Sequence, residues 1–127
     1  VAERPTGRAG KATGSALDFI LNGQPVSAAV RPGEPLLEVL RDGCGITSVK
    51  DGCAPEGSCG ACTVIVDGKA VVSCAQPAER FAGRAITTQE GLPAADRQLW
   101  ADCFVAAGAS QCGFCSPGIL MKAEVLL

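Results

Sequence analysis

The pattern of apolar and polar positions sharpens at Ala16 and changes period once, after Gly91. "ALDFILNGQPVSAAVRPG" reads as two short strands joined at Asn22-Gly23, a pair that readily supplies the positive φ angles of a tight hairpin. The second strand ends at Pro32-Gly33. "PLLEVLRDG" reads as a short helix with Leu36, Leu37, Val39 and Leu40 buried and Gly43 past its end. A cysteine-rich loop hinged on Gly45, Gly52, Gly57 and Gly60 comes next. The alternating apolar residues of "CTVIVDGKAVVSC" then predict a second hairpin turning at Asp67-Gly68, and "RAITTQEGL" a strand closing this part near residue 90. Two hairpins around one helix predict a small mixed-sheet domain of the α+β class over residues 16–90.

Beyond Gly91 the period is helical. "PAADRQLWADCFVAAGA" places Leu99, Trp100, Cys103, Phe104 and Ala107 on one side of a helix. "GASQCGFCSPG" links it to "PGILMKAEVLL", which Ser116 can cap while Pro117 occupies the first turn. Apolar residues run almost all the way round this last helix, so it calls for burial on several sides. Residues 91–127 fall below the roughly 40 residues at which a fold usually needs outside support. The segment is expected to be completed by residues beyond Leu127 or by another chain.

Composition narrows the chemistry. Apolar residues make up 47% and charged residues 19%, as in a globular chain and unlike a disordered one. The net charge of −2 is spread along the chain and gives no pull toward nucleic acid or an anionic membrane. No apolar run approaches the ~18 residues of a membrane span. Residues 1–15 carry Arg4, Arg8 and Lys11 with no apolar stretch behind them, so they read as a flexible leader rather than a secretory signal. A cytoplasmic location follows as the expectation, and there thiols stay reduced. Histidine and tyrosine are absent, which removes the commonest acid–base side chains and every imidazole ligand. A transition metal in this chain must sit on sulfur or carboxylate.

Eight cysteines make that point pressing. Cys53, Cys59, Cys62 and Cys74 follow the pattern C-x5-C-x2-C-x11-C, one residue longer in the first gap than the C-x4-C-x2-C of plant-type [2Fe–2S] ferredoxins. A cluster's sulfides attract hydrogen bonds, and "GCAPEGSCGAC" offers the small residues that let backbone amides close around one. The hairpin turning at Asp67-Gly68 brings Cys74 back beside Cys62. A zinc site on the same four thiolates and a set of disulfides are the alternatives. Zinc ribbons, however, hold their C-x2-C pairs about 15–20 residues apart, whereas "CGAC" and "CGFC" are separated by 49. Cys112 and Cys115 form either a redox dithiol before a helix or half of a second metal site. Cys44 and Cys103 read as small buried hydrophobes.

"GCAPEGSCGACTVIVDGKAVVSCAQPA", "ITTQEGL" and "GASQCGFCSPGILMKAEVLL", in that order, resemble the iron–sulfur subunit or N-terminal iron–sulfur region of the molybdenum hydroxylases, the xanthine dehydrogenase and aldehyde oxidoreductase family. The resemblance implies a β-grasp ferredoxin domain with one [2Fe–2S] cluster on Cys53, Cys59, Cys62 and Cys74. It also implies a helical-bundle domain with a second cluster, held by Cys112, Cys115 and a C-x-C pair on a later helix. That pair is absent from residues 1–127, so the helical domain at 91–127 is expected to be incomplete and its cluster to form only if those ligands are supplied. Gln111 is implied to lie beside the molybdopterin of a catalytic partner. The family's first gap is commonly four residues; five here alter the path of the loop, not the ligand set.

The function expected is electron transfer, from a partner molybdopterin centre through [2Fe–2S] clusters toward flavin or another acceptor. The implied partners are a molybdopterin-binding catalytic subunit or domain and a flavin subunit, and no substrate turnover is expected from this chain alone. A stand-alone ferredoxin and a zinc-stabilised interaction module are the rival readings. The lone ferredoxin predicts that the helix from Pro117 packs within a monomer.

Overall fold

Asn22 and Gly23 both adopt positive φ (52° and 84°), the geometry that folds β1 (Ser15–Leu21) back on β2 (Gln24–Val30) from Leu21↔Gln24 to Ser15↔Val30. Asp67 and Gly68 repeat it (52° and 86°) between β3 (Thr63–Val66) and β4 (Lys69–Val72). This computed structural model describes residues 15–53 and 56–127; the leader expected over 1–15 lies outside the described residues, Ser15 excepted, as do Ala54 and Pro55 of the cysteine loop. The two hairpins do not touch edge to edge. A short fifth strand, β5 (Ala85–Thr87), enters between them, parallel to β1 and antiparallel to β3, giving the order β2-β1-β5-β3-β4.

The helix expected over "PLLEVLRDG" crosses this sheet. It begins as α1 (Leu36–Glu38) and widens into a π turn over Val39–Gly43, where the Cys44 amide reaches back to the Val39 carbonyl at 3.1 Å. Gly43 therefore belongs to the last turn rather than lying past it. The wider turn lets the Ile46 amide bond the Leu40 carbonyl and buries Cys44, as expected of that residue. Leu36, Leu37, Val39 and Leu40 are all buried against Phe19, Val30, Val64 and Ile86. Each such aliphatic side chain withdrawn from water contributes about 1.5–3 kcal/mol. A mixed five-stranded sheet wrapped on one helix is the β-grasp arrangement.

Polar groups lock the corner where this domain ends. Asn22 accepts from the Thr88 amide (2.8 Å) and donates to Thr88 Oγ1, which donates on to Glu90 Oε1 (2.9 Å). Ser48 Oγ donates to the same carboxylate at 2.6 Å. Partial burial opposes the charge on Glu90, but the hydrogen bonds from Ser48, its own backbone and Thr88 outweigh it and hold the carboxyl below its ordinary value. The folded-state pKa is depressed, so the associated stability is present at neutral pH and is lost as pH falls through that lowered value, beneath the usual range near 4.3. Glu90→Ala should cost about 0.5–1 kcal/mol at pH 7, modest because the carboxylate is partly exposed and screened. Urea titrations at pH 7 and pH 3 check this: the gap between variant and parent should shrink at the acid end.

Two helices follow. α2 (Ala94–Ala107) stops at Gly108, whose φ of 64° turns the chain through the left-handed region. α3 (Ser116–Leu126) lies along β3 and β4. Leu120 and Met121 are buried with Leu92 and pack on Ile65 and Trp100, and Trp100 Nε1 donates to Glu124 Oε1 at 2.7 Å. Two expectations are corrected here. Of the α2 face only Trp100 and Phe104 are even half-buried; Leu99, Cys103 and Ala107 are exposed. Periodicity reports which residues share a side, and here that side is covered chiefly at Trp100, which packs with Leu92, Leu120 and Met121. Cys103 is thus not a buried hydrophobe. Ser116 does not cap α3: the N-cap position is Cys115, and the Ser116 hydroxyl pairs with that of Ser110 at 2.9 Å. α3 buries Gly118, Leu120 and Met121 and leaves Ile119 and Leu126 exposed. Among the described residues no helix is long and apolar enough to cross a membrane.

Candidate metal centre

The loop between the π turn and β3 carries three of the four clustered cysteines. Gly57 and Gly60, both at φ 75°, bend it through conformations that disfavour side chains. The Thr63 hydroxyl donates to the Gly60 carbonyl (2.7 Å) and the Ser73 hydroxyl to the Cys62 carbonyl (2.8 Å), fixing both shoulders of the loop. The fourth cysteine, Cys74, sits in a 3₁₀ turn (Ser73–Ala75) immediately after β4 rather than on the strand itself. Pairing of Thr63 with Val72 returns it beside Cys62, as the hairpin required.

The four sulfurs form a run of neighbours. Cys59 interacts with Cys53, Cys53 Sγ lies 4.0 Å from Cys74 Sγ, and Cys74 interacts with Cys62. No disulfide joins them. Backbone amides turn toward the sulfurs: Glu56 N–H to Cys53 (3.3 Å), Ala61 N–H to Cys59 (3.4 Å) and Cys74 N–H to Cys62 (3.3 Å). The Cys59, Ser58 and Glu56 amides together lower the Cys53 thiol to about 6, so it ionises readily. Cys74 is the opposite case. Burial first, and then the hydrogen bond and charge of the adjacent Cys62, push it up to about 12. A thiolate there needs a positive partner that replaces the proton.

Exposure grades across the set, from buried Cys62 and Cys74 through half-buried Cys53 to exposed Cys59. A mononuclear zinc site would gather all four sulfurs on one tetrahedron. Among the described residues no group of three or more Cys, Asp or Glu side chains is closed into a metal-ion site, for one metal atom or for two. Four cysteines that neighbour one another in turn, with backbone amides aimed at their sulfurs, suit an iron–sulfur group. Gly52 completes the cradle, since a Cβ there would stand 3.0 Å from Cys59 Sγ.

Cys112 and Cys115 are exposed in the loop before α3, as is Gln111, and no third ligating side chain among the described residues gathers with them. Two contacts join that loop and the start of α3 to the first site. Phe114 reaches the neighbourhood of Gly52 and Cys59, and Gly118 packs directly on the backbone of Gly60 and Ala61. Neither was anticipated from the sequence. Gly118 did leave a signal, because a glycine within an apolar helical run commonly marks close backbone approach.

A β-grasp sheet with three cysteines in one loop and a fourth in the turn beside it defines a [2Fe–2S]-binding protein of the ferredoxin kind. The pattern of the family described as "2Fe-2S iron-sulfur cluster binding domain" matches residues 19–95, and that of "[2Fe-2S] binding domain" matches residues 88–127. The nicotinate dehydrogenase small FeS subunit of Eubacterium barkeri is 44% identical over 112 residues, spanning 87% of this chain and 71% of that subunit. The xanthine dehydrogenase iron-sulfur-binding subunit of Escherichia coli O157:H7 is 41% identical over 112 residues, covering 87% and 69%. Among solved structures, quinoline 2-oxidoreductase from Pseudomonas putida 86 superposes with a TM-score of 0.80 at 35% identity, over 88% of this chain and 69% of that one. This chain belongs to the iron–sulfur subunits and iron–sulfur regions of the molybdenum hydroxylases.

Proposed function

We propose that the chain conducts electrons between a molybdopterin-bearing partner and a flavin or other acceptor, with Cys53, Cys59, Cys62 and Cys74 as ligands of one [2Fe–2S] cluster. The contiguous run of those four sulfurs, ringed by amide donors, carries the reading. The donor set fits: thiolates only, adjacent in pairs, with a bare glycine where a side chain would intrude. Such a group, once bound, supplies reversible one-electron chemistry. The chain's own residues position it. Cys62 and Cys74 anchor it in the dry interior, the amides of the loop favour the negative charge on its sulfur, and exposed Cys59 offers the edge nearest an external partner.

On this reading residues 16–90 form the first cluster domain and 91–127 belong to the second. Cys112 and Cys115 furnish two ligands of another [2Fe–2S] group, and two more must come from outside the described cysteines. Gln111, exposed on the same loop, faces the molybdopterin of the partner. A cytoplasmic location belongs to this reading, since thiolate ligands suit a compartment where disulfides are disfavoured. α3 packs on β3 and β4 within the chain, as a stand-alone ferredoxin also requires, and it is the likeness to FeS subunits that favours a partnered chain.

Purified anaerobically, the chain should be red-brown, hold about two irons, and lose visible absorbance with dithionite. A colourless protein containing zinc alone would overturn the proposal.

A further inference from the structure

The contact between Phe114 and the first cysteine site is not required by either pair of ligands. Phe114 stands between Cys112 and Cys115 in the sequence, yet its ring edge is directed at the other loop. A Cβ built on Gly52 would lie 3.0 Å from Phe114 Cε2 and 3.0 Å from Cys59 Sγ. Ring edge and sulfur therefore lie within about 6 Å of one another, in the range where sulfur and an aromatic edge attract. Gly52 has an ordinary φ, so no backbone requirement explains the missing side chain. Space does: any larger residue would displace either the ring or the sulfur.

We propose that Phe114 is a positioning residue for the first cluster: its ring, admitted by the bare Gly52, covers one side of the exposed Cys59 edge and ties that edge to the loop of the second cysteine pair. This rests on Cys59 being a cluster ligand. Reduction adds an electron to a group already made negative by four thiolates, and water stabilises the added charge better than an aromatic edge does. Removing the ring therefore makes the cluster easier to reduce and easier to strip.

The test uses the anaerobically purified chain, with an EPR-monitored redox titration and the rate of iron release to a chelator. Phe114→Ala should raise the midpoint and speed iron release about tenfold, the scale on which residues behind metal ligands act. Phe114→Leu should recover most of both. A Phe114→Ala protein with the parent midpoint overturns the inference. Should Phe114→Ala fail to hold iron, Phe114→Val decides the matter, because it shortens the side chain without touching Gly52 or Cys59. A midpoint shifted upward supports the proposal and an unshifted one defeats it. Absence of iron from the parent chain would instead defeat the ligand assignment.

Discussion

Replacing Cys59 with alanine should abolish the dithionite-sensitive chromophore and lower bound iron about tenfold or more, while Cys103→Ala leaves both at the parent level. Cys59 is the informative position because its side chain is exposed, so truncation opens no cavity in the core. Its backbone amide, which helps hold Cys53 as a thiolate, survives the change. The loop and its charge pattern therefore stay intact, and what disappears is one sulfur. Far-ultraviolet circular dichroism should be nearly unchanged, separating ligand loss from misfolding. Cys103 is equally exposed but lies on α2, outside the four-sulfur run. Loss of the chromophore in Cys103→Ala would show the assignment to be wrong.

Gly118→Ala should detach α3 from the cysteine loop. Two effects oppose one another. Alanine favours a helix over glycine by about 1 kcal/mol, and Gly118 has no left-handed backbone that would make a side chain strained. Against that, the new Cβ would drive into the Gly60 carbonyl and stand 2.9 Å from Ala61 Cα. Neither neighbour is the free end of a side chain that can swing away; both belong to the loop that carries Cys59 and Cys62. Overpacking of this kind costs about 1–3 kcal/mol, and more when backbone must move, so the clash wins. Trp100, the sole tryptophan, reports the result because it spans α2 and α3 through Glu124. Its fluorescence should shift to the red and the urea midpoint should fall. An unchanged spectrum with raised stability would mean that helix propensity dominates and the close approach does not matter.

What the chain disclosed in advance is what local chemistry determines. Asn22-Gly23 and Asp67-Gly68 each specify a turn on their own, and the hairpins followed. Leu36 to Leu40 had nowhere to go but inward. The hairpin between Cys62 and Cys74 was enough to foresee that those two lie side by side. Distant pairings were hidden. Nothing near Glu90 signals that Ser48 will donate to it, and nothing in "CGFC" says that its phenylalanine answers a glycine 62 positions earlier. Faces without partners misled most: Leu99 and Cys103 share a side with Trp100, yet that side is largely open. Amphipathic spacing encodes a capacity for burial, and only tertiary contacts say whether it is used.

The order of the strands has a temporal corollary. The central strand of the sheet, Ala85–Thr87, is the last of the five to leave the ribosome, after every one of Cys53, Cys59, Cys62 and Cys74. Each hairpin can zip alone within microseconds, but the halves cannot join until that late piece arrives across a long gap in the chain. Nascent protein thus spends an interval with its thiols already translated and their scaffold still open, when metal insertion competes with oxidation and with intermolecular pairing at the unclosed edges.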